Sequence, residues 1–550
     1  MSRFYDITRT TDEGKDANNG HTVPATEGVT EDQIPVGVDR RKFLMRSAVI
    51  GAAAVMTGRQ VSAEERIFKA VSESLPPQAP SVPLDPALNV VKKGMGPVMT
   101  TIDEFYKVGP GPSSSHTIGP MRITYDFYQR CTKLPADKLA KATKLQVNLF
   151  GSLSATGKGH GTERAALAGL IGNEPATVDP KFLDSLRDKP DQVFPVKLGS
   201  STLNVSLKDV IYDATKGNFH HPNTMTVKLL AGNDVLLEQE YYSVGGGFIE
   251  WKGYTPPKKN TPKYPFRTMK ELRTHADNNK LTIAQVMLAN EMSIAGRSQE
   301  EVYAFVDKII NAMTATVKSG LSMPEDDVLP GPIKLHSKAA TVYKRATDDK
   351  YPADRGVGLL SAAALAASEE NARGHLVITA PTGGSAGVMP SLVYALIEAR
   401  KVPLEKVRDG MLAAAAVGYL CKHHATLSAA EGGCQAEIGV ASSMAAALVA
   451  TANDADSRVV ENAAESALEH HLGMTCDPVA GYVQVPCVER CAFGAVKAWT
   501  AYEIATNEIA SRHRIDLDAT IQALAETAKD MNSKYKETSE AGLALSVTLC

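Results

Sequence analysis

The feature that most constrains the fold is a change of pattern near residue 266, after which Ala-rich stretches with a helical period follow one another to the C terminus. Their apolar residues recur every three or four positions, the spacing of one face of an α-helix. The C-terminal part is therefore predicted to be all-α or nearly so. The stretches cover residues 359–368, 391–400, 411–420, 436–451, 458–471, 488–509 and 521–531.

The preceding part combines strand and helix patterns. Residues 145–150 alternate apolar and polar side chains, as half-buried strands do, and residues 162–171 show a helical period. Residues 226–242 are predicted to form a hairpin, because Gly232-Asn233-Asp234 separates two apolar runs. This part is therefore mixed α+β, and the fold class of the whole chain is predicted to be α+β.

Two Pro-rich stretches suggest where the parts meet. The predicted order is a disordered N-terminus with a targeting signal, a linker or wrapping arm, the α+β domain, a second linker and the helical domain. Their residues are 1–63, 64–97, 98–251, 252–265 and 266–550.

The N-terminal segment carries Arg40-Arg41, an apolar stretch at 47–58 and the small-residue sequence Val61-Ser62-Ala63. This order resembles a twin-arginine export signal with its cleavage site. It predicts a periplasmic protein that is a partner of the twin-arginine export machinery. The alternative is a short amphipathic helix on a cytoplasmic protein. The apolar stretch is too short to span a bilayer, and no stable membrane span is predicted elsewhere.

Composition and charge exclude some functions. The chain has 550 residues, 43% of them hydrophobic and 22% charged, which is typical of a globular protein with two or more domains. Its formal net charge of −3 provides no basic field, so nucleic acid is not expected as a partner.

The cysteines suggest a metal or redox site. Seven are present, an odd number that argues against a disulfide framework. Cys434, Cys476 and Cys487 share a setting of Gly or Pro turns beside predicted helix ends. A helix N-terminus lowers a thiol pKa, which favours the thiolate form at Cys434 and Cys487. Three converging thiolates would suit a cluster with one open iron. Buried thiols and a zinc site are the alternatives.

Longer motifs indicate a family. GPGPSSSHTIGPM, GSLSATGKGHGT and YSVGGGF in the first part, and APTGGSAG, GCQAE, CDPVAG and QVPCVER in the second, resemble the signatures of the bacterial iron–sulfur L-serine dehydratases. HPNT, KDMN and ETS add to the resemblance, which runs in family order over roughly residues 95 to 550.

The resemblance implies a two-part enzyme that splits L-serine into pyruvate and ammonia. A β-rich domain would carry a serine/histidine loop, and a helical domain would carry a [4Fe–4S] cluster. Cys434, Cys476 and Cys487 match the cluster cysteines, and the terminal Cys550 would occupy the fourth iron when substrate is absent. Family members are commonly dimeric, so a homodimer is expected. Cys421 and Cys491 are interpreted as buried thiols.

The resemblance also suggests residue roles. His116 is the leading candidate for the base that removes the α-proton, since it lies in a Ser-rich, Gly/Pro-bounded loop. The loop serines would position the substrate carboxylate or tune the base, or would merely cap a turn. The candidate catalytic residues are His116, Ser113, Ser114, Ser115 and His160. The candidate substrate-binding residues are His221, Asn223, Thr382 and Gly383, the last standing where the family has Asn.

Two other interpretations remain open at this point. The same chemistry could act on L-threonine or L-cysteine, because residues near the expected cluster differ from the family pattern. An exported, cluster-bearing binding protein without activity is the alternative from another class.

Overall fold

The computed structural model describes residues 96–215, 217, 219–255 and 258–546. They belong to one compact unit that spans Asp85–Cys550. The predicted export signal, the arm up to residue 95 and Cys550 lie outside the described residues. In the described part of the chain, no helix is long and apolar enough to cross a membrane.

The N-terminal part combines a mixed sheet with short helices, so the predicted mixed α+β class is confirmed. In its five-stranded sheet the strand order is β5-β2-β6-β7-β8, with β5 parallel to β2 and the other pairs antiparallel. The elements are α1 Ile102–Phe105, β1 Lys107–Pro110, α2 Gly119–Thr132, α3 Ala136–Leu139, β2 Lys144–Leu149, α4 Gly151–Thr156, α5 Thr162–Leu170, α6 Pro180–Asp188, β3 Phe194–Leu198, β4 Ser201–Val205, β5 Val210–Tyr212, β6 Thr224–Ala231, β7 Asp234–Ser243 and β8 Ile249–Trp251.

Alternation of apolar and polar residues explains the sheet. Leu145, Val147 and Leu149 of β2 are buried, while Gln146 and Asn148 between them are half-buried. The buried face packs with α2 and α5 in one hydrophobic core. The predicted hairpin is confirmed, since β6 and β7 pair across a turn at Gly232 and Asn233.

The C-terminal part is helical, as its Ala-rich periodicity predicts. Its elements are α7 Met269–Asn279, α8 Ile283–Ala295, α9 Gln299–Leu321, α10 Ala339–Thr347, α11 Arg355–Arg373, β9 Leu376–Thr379, α12 Val388–Tyr394, α13 Leu404–His424, α14 Ala429–Gly432, α15 Val440–Ala452, α16 Ser457–Glu469, α17 Cys487–Asn507, α18 Leu517–Asp530 and α19 Leu543–Ser546.

Small residues let the central helices approach each other closely. All residues of α15 are buried, and α15 packs along α13. A Cβ on Gly410 of α13 would lie 2.7 Å from the carbonyl oxygen of Leu448 in α15. A larger side chain at position 410 would therefore push the two helices apart.

Within the described residues the helical part contains one short strand, β9, which is consistent with a domain that is nearly all-α. Strand β9 pairs antiparallel with β1, from Lys107 opposite Thr379 to Pro110 opposite Leu376. Its residues Val377 and Ile378 are β-branched and buried, which favours a strand over a helix. Ile102 and Phe105, which precede β1, belong to the core of the helical part. The two parts are thus joined by pairing and packing as well as by covalent linkage.

A histidine next to this strand pair should make the stability of the protein depend on pH. His375 Nδ1 lies 2.9 Å from Glu370 Oε2, and this hydrogen bond raises the pKa of His375. The stabilisation is fully present below the unfolded-state pKa of about 6.5 and is lost as pH rises through the higher folded-state pKa. We expect His375→Gln to lower the free energy of unfolding by about 1 kcal/mol at acidic pH, and by less at alkaline pH. Urea unfolding on both sides of the transition measures this, and an equal loss at both pH values would contradict it.

Candidate active site

The Ser-rich loop after β1 folds into a single π-helical turn, Ser114–Ile118. Side-chain hydroxyls satisfy its first backbone groups: Ser113 Oγ accepts from the backbone N–H of His116 at 3.1 Å, and the N–H of Ser113 donates to Thr117 Oγ1 at 3.2 Å. Ser114 is buried as well. The capping role considered for these serines is therefore present at Ser113, and it fixes the backbone that carries His116.

The ring of His116 is held at both nitrogens by hydroxyl groups. Nδ1 lies 2.9 Å from Ser115 Oγ, and Nε2 lies 3.0 Å from Ser152 Oγ at the start of α4. The residue is fully buried, and burial lowers the pKa of His116 well below its usual value, with the nearby His160 adding to the effect. The ring is therefore neutral at neutral pH and can accept a proton.

His160 stacks against His116 with ring centroids 4.7 Å apart. Its Nδ1 lies 2.9 Å from the carbonyl oxygen of Thr156, so Nδ1 must carry the hydrogen. Burial lowers the pKa of His160, and Nε2 of the neutral ring then presents a lone pair. Nε2 has no hydrogen-bond partner among the described residues and lies 3.8 Å from Glu537 Oε1. It is thus a second acceptor in the same buried space.

Asn223 and His221 connect the sheet to this loop. His221 Nδ1 accepts from the backbone N–H of Asn223 at 3.0 Å. Asn223 is fully buried, and its Nδ2 donates to the carbonyl oxygen of Ser243. The Ser243 hydroxyl in turn donates to the carbonyl oxygen of Ser115 at 2.7 Å. Within the described residues Asn223 Oδ1 has no hydrogen-bond partner, which suits a group that meets a polar ligand.

The loop after β9 packs directly against the Ser-rich loop. A Cβ on Gly383 would lie 2.8 Å from the backbone nitrogen of Ser114 and 3.2 Å from the carbonyl oxygen of Pro112. Thr382, beside it, is buried, and its hydroxyl lies 3.1 Å from Ser385 Oγ. The glycine at 383 therefore allows backbone from the helical part to contact the His116 loop.

This contact predicts a specific loss of stability. We expect Gly383→Ala to lower the free energy of unfolding by about 1–3 kcal/mol, because the added methyl group meets backbone that cannot rotate away. Urea unfolding measures the change. Gly356→Ala in α11 is the control, since no atom lies within 4 Å of the added Cβ there. Equal unfolding midpoints for wild type and Gly383→Ala would show that the loops do not meet as described.

The three cysteines singled out in the sequence come from three separate places. Cys434 immediately precedes a π-helical turn, Gln435–Gly439, Cys476 lies between α16 and α17, and Cys487 is the first residue of α17. All three are at least 94% buried, with exposed fractions of 2%, 4% and 6%. Cys434 and Cys476 lie close enough to shift each other's pKa, and the charge of Cys434 raises the pKa of Cys487.

Electrostatics single out Cys434 as the most readily ionised thiol. Its hydrogen bond from Cys476, followed by the nearby Arg490 guanidinium, lowers the pKa of Cys434 to about 7. Arg490 is anchored by a bond from its Nη1 to the carbonyl oxygen of Thr475 at 2.7 Å. The expectation of a lowered pKa at Cys487 is wrong: burial, followed by the charge of Cys434, raises the pKa of Cys487. Loss of hydration there outweighs the helix N-terminus.

Two glutamates adjoin the cysteines: Glu537 is buried and Glu437 is half-buried. Burial, the charge of Glu537 and that of Cys434 raise the pKa of Glu437. A Cβ on Gly384, in the loop after β9, would lie 2.6 Å from Glu437 Oε2. Burial and Cys434 raise the pKa of Glu537 to about 8. The carboxyl of Glu537 is therefore held largely protonated at neutral pH, and the pKa of Glu437 is shifted in the same direction. The backbone N–H of Glu537 donates to the carbonyl oxygen of Cys476 at 2.9 Å, so this residue links Cys476 to His160.

The structure thus brings together by direct contacts the predicted candidates His116, Ser113, Ser114, Ser115, His160, His221, Asn223, Thr382 and Gly383, and it couples Cys434, Cys476 and Cys487 to one another electrostatically. Sequence reasoning gave no role to Ser152, Glu437, Glu537 or Arg490, which stand inside quoted motifs. Cys421 and Cys491 are buried, as predicted. Among the described residues, no group of three or more His, Cys, Asp or Glu side chains is placed to hold a metal ion.

Comparison with known proteins defines the class first. Residues 101–254 match the model of the serine dehydratase beta chain, and residues 278–544 match that of the serine dehydratase alpha chain. The two matches lie in one polypeptide, in the α+β part and the helical part respectively.

Relatives then define the family within that class. The chain is 38% identical over 461 residues to an L-serine dehydratase of Haemophilus influenzae, covering 82% of this chain and 99% of the relative. It is 39% identical to L-serine dehydratase 2 of Escherichia coli over 470 residues, covering 82% of this chain and 100% of the relative. It is 40% identical to L-serine dehydratase TdcG of the same organism over 461 residues, covering 82% of this chain and 99% of the relative. The chain belongs to the L-serine dehydratase family, whose members are lyases.

Proposed function

We propose that this protein converts L-serine to pyruvate and ammonia at a [4Fe–4S] cluster bound by Cys434, Cys476 and Cys487. The observation that carries the proposal is the meeting of three buried thiols with a buried, neutral histidine loop through two glutamates. The names of the relatives, which match over nearly their whole length, support L-serine as the substrate.

The donor set fits an iron–sulfur cluster. Cysteine thiolates are the usual ligands of such clusters, and three of them leave one iron without a protein thiolate. The cysteines are shielded from water, and Arg490 places a positive charge beside Cys434, where an anionic cluster needs compensation. When bound, a cluster of this kind supplies a Lewis acid that assists the departure of the substrate hydroxyl.

The chain itself supplies the base. The α-proton of an amino acid is weakly acidic, so the acceptor must be neutral and fixed close to it. His116 suits this role, because burial keeps its ring neutral and the hydroxyls of Ser115 and Ser152 fix the ring plane. His160 stacks on the ring and limits its movement. In this proposal the Cα–H electron pair forms the new double bond as the proton passes to His116.

The remaining steps need only water. The departing hydroxide takes up one proton from solvent and becomes water, which leaves aminoacrylate. This enamine tautomerises to an imine, which one water molecule hydrolyses to pyruvate and ammonia. Enclosure of His116, His160 and Asn223 keeps bulk water from competing for the base before the substrate binds.

Anaerobic purification followed by three measurements tests the proposal. Visible absorption and EPR report the cluster, and pyruvate formation from L-serine reports the activity. L-threonine and L-cysteine serve as competing substrates in the same assay. Protein without iron would refute the cluster, and iron-loaded protein that forms no pyruvate would support the inactive binding protein instead.

We further propose that Cys550 occupies the fourth iron in the absence of substrate. Residue 550 lies outside the described residues, and the proposal follows from the family resemblance and from the open position that a catalytic metal site requires. Cys550→Ser should change the EPR spectrum of the substrate-free protein and leave that of the serine-bound protein unchanged. Identical substrate-free spectra would exclude this role.

We also propose export through the twin-arginine machinery and assembly as a homodimer. The paired arginines at 40–41, the apolar stretch and the Val-Ser-Ala sequence support export. Cell fractionation with N-terminal sequencing of the mature chain tests it, and an intact N-terminus found only in the cytoplasm would contradict it. Light scattering of the purified protein gives the mass of the assembly, and a monomer mass would exclude the dimer.

A further inference from the structure

The base must lose its proton after every turnover, yet His116 is fully buried. A buried imidazolium cannot pass its proton directly to bulk water, so a neighbouring group must carry it. The hydrogen-bond partners of the ring therefore decide where the proton goes, and each ring nitrogen has one hydroxyl partner.

The partner of Nδ1 leads into the protein. Ser115 Oγ lies 3.3 Å from Ser113 Oγ, and both serines are buried. Ser113 Oγ in turn accepts from the backbone N–H of His116 itself. This short chain of hydroxyls leads back to the backbone of the same π-helical turn, so it gives a proton no route to solvent.

The partner of Nε2 leads to solvent. Ser152 is half-buried, and Gly151 beside it is exposed. Among the described residues, the Ser152 hydroxyl has His116 Nε2 as its hydrogen-bond partner, so its remaining capacity can serve water. Its backbone N–H donates to the carbonyl oxygen of Pro222 at 2.9 Å, which fixes Ser152 beside the ring.

The other titratable groups near His116 do not offer the same route. His160 stacks on the ring, and its Nδ1 is engaged by the carbonyl oxygen of Thr156. Beyond His160 lies Glu537, which is itself buried. The nitrogen Nδ1 of His221 accepts from Asn223, and His221 acts on His116 through its charge. None of these groups hydrogen-bonds a His116 ring nitrogen within the described residues.

We propose that the Ser152 hydroxyl is the exit through which the proton taken up by His116 returns to solvent. The Nε2–H bond of the imidazolium breaks as Ser152 Oγ gains that proton, and Ser152 releases its own hydroxyl proton to a water molecule. The ring ends neutral, the hydroxyl is regenerated, and the positive charge leaves with the water. Ser152 is thus a positioning and proton-transfer residue. The inference rests on the proposed function.

Buffer dependence distinguishes this role from a structural one. In dilute buffer, Ser152→Ala should lower kcat by a factor on the order of 10² with little change in KM, because proton release becomes rate-limiting. Increasing concentrations of imidazole buffer at fixed pH should restore kcat by replacing the missing hydroxyl. Ser152→Thr keeps a hydroxyl and should retain most of the rate. Ser154→Ala in the same helix is the matched control and should behave as wild type.

Each outcome of this experiment supports or overturns the proton exit through Ser152. A Ser152→Ala enzyme with wild-type kcat, or with a reduced kcat that imidazole does not raise, would overturn the proton exit while leaving the proposed function intact. A wild-type protein that forms no pyruvate in the same assay would overturn the proposed function, and the exit with it.

Discussion

Replacing Cys476 by alanine should abolish pyruvate formation and reduce bound iron from about four atoms per chain to well below that number. The thiol is buried and electrostatically coupled to Cys434, so its removal leaves two thiols where the proposed cluster needs three. A buried methyl group cannot replace a thiolate ligand. Iron and sulfide analysis of anaerobically purified protein, with visible absorption, measures the effect. Cys434→Ala and Cys487→Ala should behave in the same way.

The control for this prediction is a buried cysteine elsewhere. Cys131 lies in α2, in the core of the α+β part, where burial raises its pKa. Cys131→Ala should cost about 1–2 kcal/mol of stability from lost packing, and should keep full iron content and activity. Wild-type iron content in Cys476→Ala would refute the assignment of the cluster ligands. Equal iron loss in Cys131→Ala would mean that general destabilisation explains the result.

The second large effect is expected at His116. His116→Gln should lower kcat by a factor of about 10²–10⁴, because the amide cannot accept the α-proton. Glutamine retains polar atoms that can meet the hydroxyls of Ser115 and Ser152, so the fold and the iron content should persist. Steady-state kinetics on L-serine, with iron analysis of the same samples, gives both quantities.

An exposed histidine provides the comparison for His116. The side chain of His470, at the end of α16, is 64% exposed, and His470→Ala should leave kcat unchanged. A His116→Gln enzyme with full iron and a kcat within a few-fold of wild type would remove His116 as the base. The neighbouring His160, whose Nε2 has no hydrogen-bond partner in the described part of the chain, would then be the next candidate to replace.

Local patterns explain which features could be predicted from the sequence. Ala-rich periodicity predicts the helices, and the Gly-Asn-Asp turn predicts the β6–β7 hairpin, because each signal lies within a few residues. The settings of the three cysteines are also local, since Gly and Pro turns adjoin each of them. These features depend on short-range backbone preferences, which a single sequence records directly.

Long-range contacts explain what could not be predicted. Ser152 meets His116 across 36 positions of sequence, and Lys107 in β1 meets Thr379 in β9 across 272 positions. No periodicity connects such pairs, so the exit hydroxyl and the strand in the helical part were missed. The pKa of Cys487 was wrongly predicted for a related reason. The position of Cys487 at the start of a helix is a local feature, whereas the burial that dominates its pKa comes from distant segments.

The pairing of β1 with β9 has a consequence for how the gene of such a protein can be arranged. Strand β1 pairs with β9, and Ile102 and Phe105, which precede β1, pack in the core of the helical part. The first residues of the α+β part therefore attach it to the helical part. The covalent linker near residues 258–265 is therefore not the only connection between the two parts. Two separately translated polypeptides divided at that linker would still associate through the same pair of strands.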